Sequence, residues 1–153
     1  MIIYLSAPLF TEGERLWNRM LAAGLQERLS GAEVILPQDF HFGQSYNNPK
    51  DFPQIHRACI DGVRRADVVV AVLDGPDVDS GTALEMGVAL ERGIPIIGVR
   101  TDYRESQDRG VNLVIAAACT QLLRSMSFGE DVEQLVKDLA GKIVAAVKKI
   151  ERR

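Results

Sequence analysis

Two rhythms alternate along the chain. Brief apolar runs rich in β-branched residues, too short for helices, are separated by stretches with apolar residues at helical spacing. Residues 2–6 form the first such run and read as a buried strand closed by Ser6-Ala7-Pro8. From Glu12 to Leu29, Leu16, Met20, Ala23 and Leu29 mark a helix, which Gly31 ends. Val34-Ile35-Leu36 is a second strand, stopped by Pro37. Residues 38–52 are a polar loop that nonetheless carries Phe40, Phe42, Tyr46 and Phe52. A loop this long in a compact domain is usually functional or mobile. A helix from Gln54 to Arg65, a strand Asp67–Leu73 and a helix from Thr82 to Arg92 follow. Then come a strand Pro95–Val99, a polar loop over 100–110, a short helix Val111–Ala118 and a strand Thr120–Leu123. The last helix, Glu130 to Lys149, places Val132, Leu135, Val136, Leu139, Ile143 and Val147 on one face. Its cationic end suits the helix dipole.

Strands and helices alternating five times predict an α/β fold with helices on both faces of a parallel sheet. The expectation is one doubly wound domain over 1–153, with five strands in the order 2-1-3-4-5, the flavodoxin-like arrangement. Its switch point lies between strands one and three, so ligands should meet the loops Ser6–Glu14 and Asp74–Gly81.

Composition narrows the class. The chain has 153 residues, 46 % apolar and 25 % charged, which suits one soluble domain with a real core. A net charge of −3 gives no reason to expect nucleic acid or an anionic membrane as partner. Cys59 and Cys119 lack a CxxC spacing and read as buried free thiols in a reducing compartment. The first residues lack the basic region of a signal peptide. No apolar run approaches the roughly 20 residues that cross a bilayer. The cytoplasm is the expected location.

The chemistry concentrates in Asp74-Gly75-Pro76-Asp77-Val78-Asp79-Ser80-Gly81-Thr82-Ala83-Leu84-Glu85. No lysine or arginine lies between Ala66 and Glu91, so this sheet edge offers carboxylates rather than phosphate-binding cations. Two readings of Glu85 stand side by side. In one, Thr82 is an N-cap and Glu85 closes a capping box. In the other, Glu85 is a carboxylate kept ionised by the positive end of the helix and used as a glycosyl-transfer nucleophile. Asp79 reads either as a general acid/base or sugar ligand, or as an Asx turn. Asp74 and Asp77 read as turn formers. A calcium loop fails because the twelfth position from Asp77 is Val88. Phosphate-loop and dinucleotide fingerprints are absent, and His41 and His56 lack ligand spacing. Tyr4 is either core or an orienting group for a carboxylate. Phe10 is either a core cap or a stacking surface.

Four blocks resemble the nucleoside 2-deoxyribosyltransferases. They are Ile3-Tyr4-Leu5-Ser6-Ala7-Pro8-Leu9-Phe10, Pro37-Gln38-Asp39, Ala66 to Gly75, and Asp79-Ser80-Gly81-Thr82-Ala83-Leu84-Glu85-Met86-Gly87-Val88-Ala89. The last is the most specific. The resemblance implies that Glu85 attacks the anomeric carbon of a 2'-deoxynucleoside and carries the sugar to a second base. Asp79 would support the sugar and proton transfer, Tyr4 would position the glutamate, and Phe10 would lie beside the nucleoside. Ser6, Pro8, Asp39, Asp74 and Gly81 are candidate substrate contacts, and Asn112 or Gln121 would complete a neighbouring subunit's site. The resemblance implies no metal or organic cofactor. It also implies a homodimer or higher oligomer, a deoxynucleoside and a free nucleobase as partners, and a place in nucleoside salvage. One departure stands out: Cys59 occupies a slot that many members fill with Asp or Asn, and the nearest carboxylate is Asp61.

Three functions follow. The first is 2-deoxyribosyl transfer between bases. The second is N-glycosidic hydrolysis of 2'-deoxynucleoside 5'-monophosphates. The third is a non-catalytic nucleotide-binding module. The loop from Tyr4 to Glu14 has no basic residue and holds Glu12 and Glu14, which disfavours a phosphate, although Arg15 adjoins it. Base preference is expected to lie with Phe42, Gln44 or Tyr46.

Overall fold

The computed structural model describes residues 1–40, 48–105, 107–128 and 131–152. Strands β1 (Ile2–Ser6), β2 (Glu33–Ile35), β3 (Val68–Val72), β4 (Ile96–Arg100) and β5 (Gln121–Arg124) form one parallel sheet in the order β2-β1-β3-β4-β5. Helices α1 (Glu12–Arg28), α2 (Phe52–Arg65), α3 (Ser80–Glu91), α4 (Leu113–Ala118) and α5 (Val132–Ile150) connect and follow them. The fold is the expected flavodoxin-like α/β arrangement. Among the described residues no helix is long and apolar enough to cross a membrane.

Strand side chains alternate faces, and the core divides accordingly. Ile3, Leu5, Val68, Val70, Val72, Ile97 and Val99 pack against Leu21 and Leu25 of α1 and Leu139, Ala140 and Ile143 of α5. On the other face, Tyr4, Val69, Ala71, Leu73 and Ile96 meet Val63 of α2 and Met86 and Ala89 of α3. All five residues of β3 are buried, as expected for a central strand covered on both sides.

The boundaries differ from the sequence expectation where polar side chains cap helices. Asn112 caps α4 by accepting from the Val114 and Ile115 N–H groups. Asp131 likewise caps α5, accepting from the Glu133 N–H. Helix α2 begins at Phe52 rather than Gln54, with Pro53 in its first turn, where a missing N–H costs nothing. Residues 38–52 are not uniformly irregular, because Pro37–Asp39 and Pro49–Asp51 each form a 3₁₀ turn.

The loops at the carboxyl edge of β3 and β4 are bound to each other. Arg100 is 1 % exposed. It donates to the carbonyls of Leu73 (2.6 Å), Gly75 (3.2 Å) and Arg104 (2.9 Å). The Asp74 carboxylate accepts from the Thr101 and Asp102 N–H groups at 2.6 and 2.9 Å, and from the Thr101 hydroxyl. Gly110 has φ +90°, and a Cβ there would lie 2.9 Å from Arg100 Nε. Only glycine satisfies both the backbone and the buried guanidinium.

Candidate active site

A cavity of about 690 Å³ opens at the carboxyl edge where β1 and β3 part. Helix α3 supplies Gly81, Thr82 and Glu85 to one wall, with Asp79 just before it, and α2 supplies Phe52, Ile55 and Cys59. The segment after β1 contributes Ala7, Leu9, Phe10 and Arg15, and the segment after β2 contributes Pro37, Gln38 and Phe40.

Glu85 sits at the base of the cavity, 9 % exposed. Tyr4 donates its hydroxyl to Oε1 at 2.6 Å, and Ser6 donates its hydroxyl to Oε2. Burial raises the Glu85 carboxyl above its ordinary range. The hydroxyls of Ser6 and Tyr4 and the Cys59 thiol oppose that rise, while the charge of Asp79 adds to it. Burial, reinforced by the Glu85 charge, pushes Tyr4 well above the usual phenol range and Cys59 up to about 11. Both therefore remain protonated near neutral pH, and Tyr4 serves as a donor to Glu85.

The capping-box reading of Glu85 does not hold. Asp79 is the N-cap of α3, its Oδ2 accepting from the Thr82 N–H at 2.9 Å. The helix thus starts at Ser80, and Glu85 lies in the second turn. Of two competing caps, the carboxylate wins, and Thr82 enters the helix with its buried hydroxyl lacking a partner among the described residues. The dipole fades within the first turn, so the two β1 hydroxyls are the main groups favouring an ionised Glu85. Asp79 lines the cavity, and among the described residues only its Oδ2 is hydrogen-bonded.

The loop that carries Phe10 is held from below. Glu14 Oε2 accepts from the N–H groups of Phe10 (2.8 Å) and Thr11 (2.7 Å), and Thr11 accepts from the Glu14 N–H. Arg15 Nη1 donates to the carbonyls of Leu9 and Phe10 at 2.9 and 3.0 Å. Asn18 donates to the Pro8 carbonyl and to Gln38, and Gln38 donates to the Arg15 carbonyl. Phe10 itself is 71 % exposed at the rim.

The remaining candidates are scattered. Pro8 and Asp74 line a separate cleft of about 450 Å³. Asp39 is exposed and pairs with Arg19 at 3.5 Å. Asn112 is occupied as the cap of α4. Gln121 pairs with Ile97 on β5, three strands from β1. Phe42, Gln44 and Tyr46 lie outside the described residues. Among the described residues no group of three or more His, Cys, Asp or Glu is arranged to hold a metal ion. Sequence reasoning missed the Ser6 bond to Glu85 and the wall position of Ile55. For Ser6 the signal was available: it lies two residues from Tyr4 on a strand, hence on the same face.

A sequence profile of the nucleoside 2-deoxyribosyltransferase family matches residues 3–139. No curated protein sequence matches the chain. Among solved structures, a conserved protein from Enterococcus faecalis V583 is similar, with 23 % identity, TM-score 0.73, and coverage of 93 % of this chain and 98 % of that one. The 2-deoxyribosyltransferase of Bacillus psychrosaccharolyticus has 20 % identity and TM-score 0.68, covering 89 % and 90 %. The CMP N-glycosidase of Clostridium botulinum has 18 % identity and TM-score 0.59, covering 91 % and 98 %. At these identities the likeness is one of fold.

Proposed function

The chain belongs to the nucleoside 2-deoxyribosyltransferase family, whose enzymes transfer or cleave at N-glycosidic bonds, and on that premise we propose that it moves 2-deoxyribose between nucleobases through a covalent intermediate on Glu85. The carrying observation is Glu85 itself: a carboxylate at the base of a 690 Å³ cavity, with both oxygens held by hydroxyl groups. In the first half-reaction one Glu85 oxygen bonds to the anomeric carbon and the N-glycosidic bond breaks. The departing base keeps the bond's electron pair and takes up a proton. In the second half-reaction an acceptor nitrogen attacks the same carbon and loses a proton, and Glu85 leaves as carboxylate. Asp79, with one oxygen unbonded among the described residues, accepts a hydrogen bond from a sugar hydroxyl and assists proton transfer. Phe10, Phe40 and Phe52 give flat apolar surfaces on which a base stacks. A 2'-hydroxyl would destabilise the cationic transition state, which accounts for a deoxy preference.

The geometry favours nucleosides over nucleotides. Helix N-termini bind phosphate through free N–H groups. At α1 the Glu14 carboxylate already takes two amides beside the helix start, and at α3 the Asp79 carboxylate occupies the cap. A phosphate dianion would therefore meet two carboxylates, with Arg15 the sole cation on the wall among the described residues. Assembly into a dimer or higher oligomer belongs to this reading. It is supported by exposed Leu84 and Leu90 on α3 and Leu113 and Val114 on α4. Nucleoside salvage is the proposed context.

The test compares base exchange on deoxyinosine plus adenine with hydrolysis of deoxyinosine monophosphate. Exchange should dominate, with mass spectrometry finding a deoxyribosyl group on Glu85. Faster sugar-phosphate release would install the hydrolase reading, and binding of a nucleotide without any turnover would install a binding module.

A further inference from the structure

Tyr4 and Ser6 stand two residues apart on β1, so their side chains point to the same face of the sheet. Each is 0 % exposed. Each gives its hydroxyl to a different oxygen of Glu85. Ser6 therefore has no surface that a sugar could touch while Glu85 is in place. We propose that Ser6 is a positioning residue: with Tyr4 it fixes the plane of the Glu85 carboxylate and holds it in the ionised state that attack requires. This rests on the reading of Glu85 as nucleophile.

A carboxylate held at only one oxygen rotates about its last torsion, which is broad for an sp³–sp² bond. Two hydroxyls on opposite oxygens remove that freedom. Each oxygen accepts along more than one direction, so a lone pair remains for the anomeric carbon. The second effect is on charge. Four groups bear on Glu85: Tyr4 and Ser6 from β1, the Cys59 thiol from α2, and Asp79 at the start of α3. Arg15 also lines the cavity but donates to the main-chain carbonyls of Leu9 and Phe10. Asp79 opposes ionisation and the other three, all neutral, favour it. With no cation bonded to the carboxylate among the described residues, a lost hydroxyl is not compensated. Hydrogen bonds to a charged acceptor are the strong kind.

Ser6→Ala removes one donor without adding volume. The acidic limb of its kcat/KM profile for base release should move up by about one pH unit, making the loss about tenfold larger below the limb than above it. Ser6→Thr keeps the hydroxyl and should leave the limb where it is. A role limited to packing predicts an equal loss at every pH. An unmoved limb in Ser6→Ala, or a limb moved equally by Ser6→Thr, overturns the proposal. An NMR titration of the Glu85 carboxyl carbon in wild type and Ser6→Ala reads the same shift without turnover. If the wild type releases no base, the nucleophile reading fails, and the titration still decides whether Ser6 holds the ionised form. Should Ser6→Ala not fold, Ser6→Cys, a weaker donor of similar shape, should give a smaller shift of the same sign, and no shift counts against the assignment.

Discussion

Gly62, on α2 one turn beyond Cys59, should control Glu85 through Tyr4. A Cβ at position 62 would lie 2.7 Å from Tyr4 Cε2, 3.1 Å from Cδ2 and 3.5 Å from Ile35 Cγ2. Carbon atoms rest at about 3.5–4.0 Å, so the ring must withdraw by roughly 1 Å. The phenol oxygen now lies 2.6 Å from Glu85 Oε1, and a shift of that size breaks the bond. Three terms set the stability of Gly62→Ala. Alanine gains about 1 kcal/mol over glycine in a helix interior. Overpacking costs about 1–3 kcal/mol, and a lost hydrogen bond to a charged group costs about 1.5–3 kcal/mol. The net is a destabilisation of roughly 1.5–5 kcal/mol, or about 3–20 °C in Tm for a chain of this size. Calorimetry and kcat for base exchange should both fall. Gly141→Ala on α5, where the nearest atom is Arg28 Nε at 3.8 Å, is the control and should gain stability with kinetics unchanged. In a Tyr4→Phe background, Gly62→Ala should cost no further activity, because the bond it breaks is already absent. A Gly62→Ala protein that melts higher than wild type with unchanged kcat would refute the reasoning.

Glu85→Gln should abolish base exchange yet raise stability at neutral pH. Burial raises the folded carboxyl above its ordinary value, so the folded chain binds that proton more tightly than the unfolded chain. Wild-type stability therefore falls as pH rises from the unfolded to the folded value, and the advantage of the glutamine variant in thermal melts should vanish at acid pH. Asp79→Asn keeps a capping oxygen and should change Tm little while lowering kcat/KM, whereas Asp79→Ala should lose about 1 kcal/mol as well. Gly98→Ala would place a methyl 2.6 Å from Cys119 Sγ and 2.9 Å from Leu73 Cδ1. It should cost about 1–3 kcal/mol in denaturant unfolding.

Sheet order, helix order and the switch point were legible in the chain because each strand is a brief apolar run and each helix keeps its spacing. Helix starts were less so. Asp79 and Thr82 are both good caps three residues apart, and the sequence does not choose between them; in the structure the helix begins at the first. Asp74 illustrates a different limit. Its position beside Gly75-Pro76 suggests a local turn, yet its carboxylate spans 27 residues to Thr101. A bond to a distant main chain leaves no local pattern. Cys59 stood out in the sequence only as an unexpected residue. Its place beside Tyr4 and Glu85 comes from α2 packing across β1.

The cradle of neutral donors around Glu85 has a consequence for the setting in which the protein works. Ionic screening acts between charges, over about 10 Å at 0.1 M salt. Short dipolar bonds beneath a closed floor offer it almost nothing to weaken. Those two bonds are thus insensitive to the medium's electrolyte, which acts on Glu85 through the charge of Asp79 instead. Lysines and glutamates on the outer helices are free to vary for solubility or assembly without retuning the chemistry underneath.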